Sequence, residues 1–169
     1  MSDSLERARE TGIHRLRIPT PFAVGRVNCY LLEDSPLTLI DTGPNSGKSL
    51  DELTRQLADL GYAIEDLELI VLSHQHMDHL GLADILATRS GADVAAIDIL
   101  APFVERYGQD QEADDEFASG LMRRYGIPDD LILALRSVSR SFRGWGAPVE
   151  VTRPLADGER LAFRDRTFE

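Results

Sequence analysis

Three of the chain's four histidines, His74, His76 and His79, fall within six consecutive positions, and Asp78 stands among them. They follow the apolar run Leu69-Ile70-Val71-Leu72. Imidazole nitrogens and carboxylate oxygens are ligands for zinc and related divalent metals. His74 and His76 are two positions apart. On a strand end or an extended loop such residues project to the same side, so both rings can reach one ion. Zn–N bonds of about 2.0–2.1 Å demand that convergence. Asp78 and His79 lie where the chain turns towards the next helix and can address a second ion. Paired ions roughly 3.5–4 Å apart activate water as a nucleophile, bringing its pKa from about 15.7 towards about 7. A polar loop with satisfied histidines explains any one of these residues, but not the spacing His-x-His-x-Asp-His behind a buried strand. The fourth histidine, His14, reads as a solvent-facing or packed residue of a separate strand.

The elements that must position this cluster can be read on either side of it. Residues 13–18 alternate apolar and polar, a half-buried strand closed by Pro19 and Pro21. Residues 23–33 predict a second strand and 37–40 a third, ending in Asp41-Thr42-Gly43-Pro44. Ser46 or Ser49 can cap a helix whose Leu50, Leu53, Leu57 and Leu60 form one stripe, stopped by Gly61. Residues 67–72 predict a buried strand, 80–90 a helix ended by Gly91, and 93–97 a short strand. Strands first and helix–strand alternation afterwards predict an α/β (α+β) fold with helices on a mixed sheet.

Residues 98–142 break that rhythm. Leu100/Val104/Tyr107, Phe117/Leu121/Tyr125 and Leu131/Leu135/Val138 recur at helical spacing, and Pro128-Asp129-Asp130 suits a helix start. The stretch predicts two or three helices forming an insertion. Its Phe103, Tyr107, Phe117, Met122 and Tyr125 are expected in the core, with a substrate wall as the alternative. The acidic tract 109–116 is expected to be a solvated loop or helix end. Trp145, between Gly144 and Gly146, reads as a packing residue or a substrate contact. Over 148–169, Val149/Val151 and Leu161/Phe163 alternate around Ala156-Asp157-Gly158, which predicts a hairpin. No linker divides the chain, so residues 1–169 are expected to form a single domain: a core over 13–97, the insertion over 98–142 and the terminal hairpin over 148–169.

The chain has 169 residues, 43% hydrophobic and 28% charged, as in a soluble globular protein able to bury a core. No run reaches the ~20 apolar residues of a membrane helix, and the first residues lack a signal peptide's apolar core. One cysteine, Cys29, excludes an internal disulfide and suits the cytoplasm; its apolar setting suits a buried, inert thiol. The net charge of -11, with Lys48 the only lysine, leaves no basic stripe for a phosphate backbone, so neither nucleic acid nor membrane is an expected partner.

Ser73-His74-Gln75-His76-Met77-Asp78-His79-Leu80-Gly81 resembles the signature of the metallo-β-lactamase-fold hydrolases, which include glyoxalase II, lactonases and β-lactamases. Asn28-Cys29-Tyr30-Leu31-Leu32, Leu39-Ile40-Asp41-Thr42-Gly43 and the leucine-striped helix follow the order of that family's first half, so the resemblance covers roughly residues 13–97. It implies an αββα sandwich with two zinc ions at one edge of its sheets. His74 and His76 would ligate the first ion, and Asp78 and His79 the second. Asp78 would also orient the nucleophilic water or take up its proton. Asp41 would stand behind the ligands and fix their orientation, a turn-forming aspartate being the alternative. A metal-bound hydroxide would attack the carbonyl of a small molecule: a thioester, lactone or amide.

The match also has a limit. The family completes its site with a further histidine, a bridging carboxylate and a last histidine, and this chain has no histidine after His79. Each ion would have two protein ligands, against the three usual at a catalytic zinc. The expected picture is therefore the amino-terminal portion of a longer hydrolase, binding zinc weakly and turning over little by itself. Its exposed half-sandwich would be covered by a second copy or by a complementary fragment. Iron or manganese in place of zinc, an iron enzyme using oxygen, a nuclease, and a non-catalytic scaffold with a relic metal loop are the competing readings.

Overall fold

The computed structural model describes residues 2–169. Helix α1 (Ser2–Glu10) leads into β1 (Ile13–Ile18), β2 (Val27–Leu32) and β3 (Thr38–Ile40). Helix α2 (Gly47–Asp59) connects β3 to β4 (Leu69–Val71); α3 (Met77–Leu80) and α4 (Ala83–Ser90) connect β4 to β5 (Asp93–Ile97). Helices α5 (Ala101–Glu105), α6 (Gln109–Arg124) and α7 (Asp129–Arg143) precede β6 (Arg153–Leu155). Strands β7 (Leu161–Ala162) and β8 (Thr167–Phe168) close the described chain. None of its helices is long and apolar enough to cross a membrane.

Strands β1 to β6 lie side by side in sequence order; β1, β2 and β3 pair antiparallel, and β3, β4, β5 and β6 parallel. Parallel strands added in one direction through right-handed crossovers collect their connecting helices on one face. Leu16, Ile18, Cys29, Leu31, Leu39, Ile70, Val94 and Ala96 accordingly share one buried cluster with Leu53 and Leu57 of α2 and Leu86 of α4. Ser46 caps α2 as the sequence predicts, its Oγ accepting from the Ser49 amide at 3.1 Å. The opposite face, with Tyr30, Ile40, Val71, Ile97 and Leu155, is only partly covered.

Four local readings are corrected. Strand β2 starts at Val27 rather than Ala23, because residues 20–25 close a small loop: the Gly25 amide donates to the Phe22 carbonyl at 3.0 Å. The turn at 156–158 exists, but it does not join the two halves of a hairpin. Residues before it extend the main sheet at the open edge of β5, and the hairpin is β7–β8 further on. That hairpin is tied to the turn after β2, where Arg166 Nε donates to Asp34 Oδ2 at 2.8 Å. The acidic tract 109–116 is the first half of α6 and is not merely solvated: Glu112, Asp115 and Glu116 pair with Arg136, Arg140 and Arg143 of α7. Of the aromatic residues expected in the core, Tyr107 is buried, while Phe103, Phe117 and Tyr125 are exposed, Tyr125 to 81%. Helix α1 is not legible in the sequence.

Candidate metal centre

Strands β3 and β4 run parallel and adjacent, so the segments that leave their carboxyl ends emerge side by side, where open α/β sheets place their sites. Asp41 follows β3; Ser73 and His74 follow β4. Asp41 adopts φ 58, a left-handed conformation uncommon outside glycine but accessible to aspartate. Its amide donates to the Val71 carbonyl at 2.9 Å, which keeps the two strand ends together.

The buried Asp41 carboxylate organises the histidines. Oδ1 accepts from the Ser73 amide at 3.0 Å, and the Ser73 hydroxyl lies 2.9 Å from Oδ1 and 2.7 Å from Oδ2. Oδ2 also faces His79 Nδ1 at 2.8 Å. A carboxylate only accepts, so the neutral His79 ring carries its proton on Nδ1 and leaves the Nε2 lone pair free. The single Ser73 hydroxyl proton is likewise committed to Asp41. Ser73 Oγ must then accept from His74 Nδ1, 2.9 Å away, and His74 Nε2 is also left unprotonated. One carboxylate thus sets both tautomers.

The backbone of the motif is clamped from the same turn. Thr42 donates twice to the His79 carbonyl, from its amide at 2.7 Å and its hydroxyl at 2.8 Å, and its hydroxyl accepts from the Leu82 amide at 3.1 Å. Gly81 is needed for close approach. A Cβ there would collide with the Asn45 amide nitrogen and with the carbonyl oxygens of Trp145 and Met77. The first two of these are bonded to each other at 2.7 Å. Trp145 therefore helps to lock the loop after β3 against the end of α7, and its ring packs edge-on against Phe22.

The structure brings His74, His76, Asp78 and His79 together. The rings of His74 and His76 are 4.6 Å apart and those of His74 and His79 4.1 Å. His79 Nε2 lies 3.9 Å from Asp78 Oδ2. Two donors bound tetrahedrally at roughly 2.0–2.2 Å stand about 3.4 Å apart, so this pair can close on one ion with little movement. Asp41, His74 and His79 have ligand atoms within 4.8 Å of one another. Asp41 is nevertheless occupied by Ser73 and His79, and its influence passes through them. The free lone pairs and the short separations fit a divalent metal.

Burial pushes the Asp41 carboxyl upward, but the hydrogen bonds from His79 and Ser73 outweigh it and hold the group below its ordinary value. His79 is raised by its bond to Asp41. Burial, then His79 and His76, lower His74, which favours the neutral ring that a ligand requires. Cys29 is fully buried, and burial followed by the charges of Asp41 and Asp78 pushes its thiol far upward, leaving it inert. His14 stands apart, with Nε2 2.8 Å from Glu33 Oε2. Sequence reasoning assigns no role to Ser73 or Thr42. Their adjacency to His74 and Asp41 is the only hint the sequence holds.

Residues 23–157 match the model of the metallo-beta-lactamase superfamily. The chain belongs to that superfamily. It is 32% identical over 143 residues to the "Probable metallo-hydrolase YqjP" of Bacillus subtilis, covering 85% of this chain and 44% of the relative. A crystal structure of a metallo-beta-lactamase family protein from Thermus thermophilus superposes with a TM-score of 0.75 at 28% identity, over 92% of this chain and 50% of that one. A shorter stretch of 69 residues, 41% of this chain, is 35% identical to 24% of the exodeoxyribonuclease WalJ of Streptococcus pneumoniae. The chain thus spans half or less of the length of these superfamily relatives.

Proposed function

We propose that this chain carries the metal loop of a zinc-dependent hydrolase acting on a small molecule with a reactive carbonyl, a thioester, lactone or amide. The observation that carries this reading is the hydrogen-bond chain through Asp41 and Ser73, which leaves Nε2 free in the neutral rings of His74 and His79, 4.1 Å apart between centroids. His74 and His76 would hold one ion, and Asp78 and His79 a second. Zinc suits these donors, and iron and manganese accept the same set. When bound, the metals supply Lewis acidity, which makes water nucleophilic near neutral pH and stabilises developing negative charge. Asp78 would orient the attacking water and receive its proton. The similarity to a Bacillus subtilis protein described as a metallo-hydrolase supports the reaction class.

Zinc calorimetry and a panel of thioesters and lactones test this reading. Zinc binding is expected to weaken tenfold or more in both His74→Ala and His79→Ala, and any turnover to vanish with a chelator. A chain that takes up no divalent metal, or variants that bind it as the parent does, would sink the proposal. Metal uptake without turnover of any substrate favours the non-catalytic scaffold. The similarity to an exodeoxyribonuclease supports a second reading, a metal-dependent phosphodiesterase. The net charge of -11 weighs against it. Chelator-sensitive degradation of linear DNA, with no carbonyl hydrolysis, decides in its favour.

A further inference from the structure

Helix α1 folds back on the edge of the sheet that β1 forms. Gly12, at φ 75, ends the helix, and its carbonyl accepts from the Glu33 amide at 2.8 Å, which ties the turn to the end of β2. Leu5, Ala8 and Arg9 recur at i, i+3 and i+4, along one side of α1. On the sheet, Arg15 stands directly opposite Tyr30 in the antiparallel register, and Ile13 precedes Arg15 by two positions on the same face. These six residues line a cleft of about 260 Å³. Strands β1 and β3 are both antiparallel to β2 and so run the same way. The Ile13 end of the cleft therefore lies at the opposite end of the sheet from the metal loop.

The charge in this cleft runs against the rest of the chain. Acidic residues outnumber basic ones 29 to 18, and arginines elsewhere, such as Arg55, Arg89 and Arg136, are held by carboxylates. Arg9 and Arg15 make no ion pair among the described residues, and no carboxylate lines the cleft with them. Two guanidinium groups lining one concavity repel each other, and an anion between them removes that repulsion. A carboxylate matches the planar fork of arginine and can accept from two such groups. Leu5, Ala8, Ile13 and the Tyr30 ring add apolar contact beside the charge, which a bare inorganic ion leaves unused. We propose that the cleft binds a small organic carboxylate, its carboxylate held between Arg9 and Arg15 and its apolar body against Leu5, Ile13 and Tyr30. The volume lies just below the usual range of ligand pockets, about 300–1,000 Å³, and suits one ring with a short acid arm. This site owes nothing to the metal loop or to the reaction proposed above.

The isotope-labelled, metal-free chain is titrated with 3-phenylpropionate, and the amide resonances of Ala8, Ile13 and Tyr30 report occupancy. Saturable shifts are expected there and not at His74, His76 or His79. Arg9→Gln and Arg15→Gln should each weaken binding about tenfold, as loss of a charge-assisted bond does, and Arg15→Lys should recover part of that loss. Both positions are exposed, so neither variant empties the core. The uncharged 3-phenylpropionamide, and acetate without the apolar body, should each bind about tenfold more weakly than 3-phenylpropionate. Arg17→Gln, on the same face of β1 but outside the cleft, should leave the affinity unchanged. Absence of saturable shifts at Ala8, Ile13 and Tyr30 overturns the proposal. Binding that survives both glutamine variants, an equal loss in Arg17→Gln, or an amide or acetate that binds as well as the parent acid also overturns it. The comparison of ligands on the parent chain decides the matter even where a variant disturbs α1.

Discussion

Helix α2 carries Leu50, Leu53 and Leu57 along one side, with Leu60 just past its end, and α7 carries Leu131, Leu135, Val138 and Phe142 in the same manner. Leu53 and Leu57 are fully buried against the sheet, whereas all four residues of the α7 stripe are exposed, Val138 to 53%. The difference lies in the connections. Helix α2 joins two adjacent parallel strands by a short crossover and has no choice but to lie on the sheet. Helix α7 belongs to a long excursion between β5 and β6 and is held to α6 by charge, through Arg136, Arg140 and Arg143. The metal loop stands between these two regimes. Its candidate ligands are braced from the packed side by Asp41 and Thr42, and its open side is bounded by Phe142.

The contrast can be broken experimentally. Leu57→Ala should cost about 2–5 kcal/mol in denaturant unfolding, since it empties a fully buried site beneath the sheet. Asp41→Ala should weaken zinc binding about 10–100-fold in a chelator competition, because His79 loses the bond that orients it and Ser73, which orients His74, loses its own anchor. A smaller effect is expected from Arg143→Ala, about 1 kcal/mol, because its bonds to Glu112 and Asp115 are only partly buried.

Acid should loosen the same pair of helices. Arg140, then Arg143 and Arg136, hold the Glu112 carboxyl down to about 2, against an ordinary value of 4.5. A depressed folded-state pKa stabilises above the ordinary value, and the contribution fades as pH falls from there through the folded value. Helical circular dichroism from α6 and α7 should therefore be retained at pH 5 and decline towards pH 2, in step with loss of the contribution from these pairs. The smallest effect belongs to Leu135→Ala, within about 0.5 kcal/mol, as for an exposed site. A Leu135→Ala cost similar to that of Leu57→Ala would show that α7 is covered in solution after all.

The sequence by itself determined a good deal. Alternation and helical spacing locate the strands of the first half and α2, because those patterns reflect which side of an element meets the core. The crowding of His74, His76, Asp78 and His79 marks the site, since few other demands place so many metal donors in six positions. Tertiary structure alone decided the rest. Whether a stripe is buried depends on what lies opposite it, which periodicity cannot state, so periodicity misplaces Phe117 and Tyr125 and reads the edge strand β6 as half a hairpin. The roles of Ser73 and Thr42 are equally hidden. A hydroxyl acquires meaning only when the parallel pairing of β3 and β4 sets it against a buried carboxylate 32 residues away in the chain. The spacing of four residues named the donors; the adjacency of two strand ends decided which of their nitrogens are free.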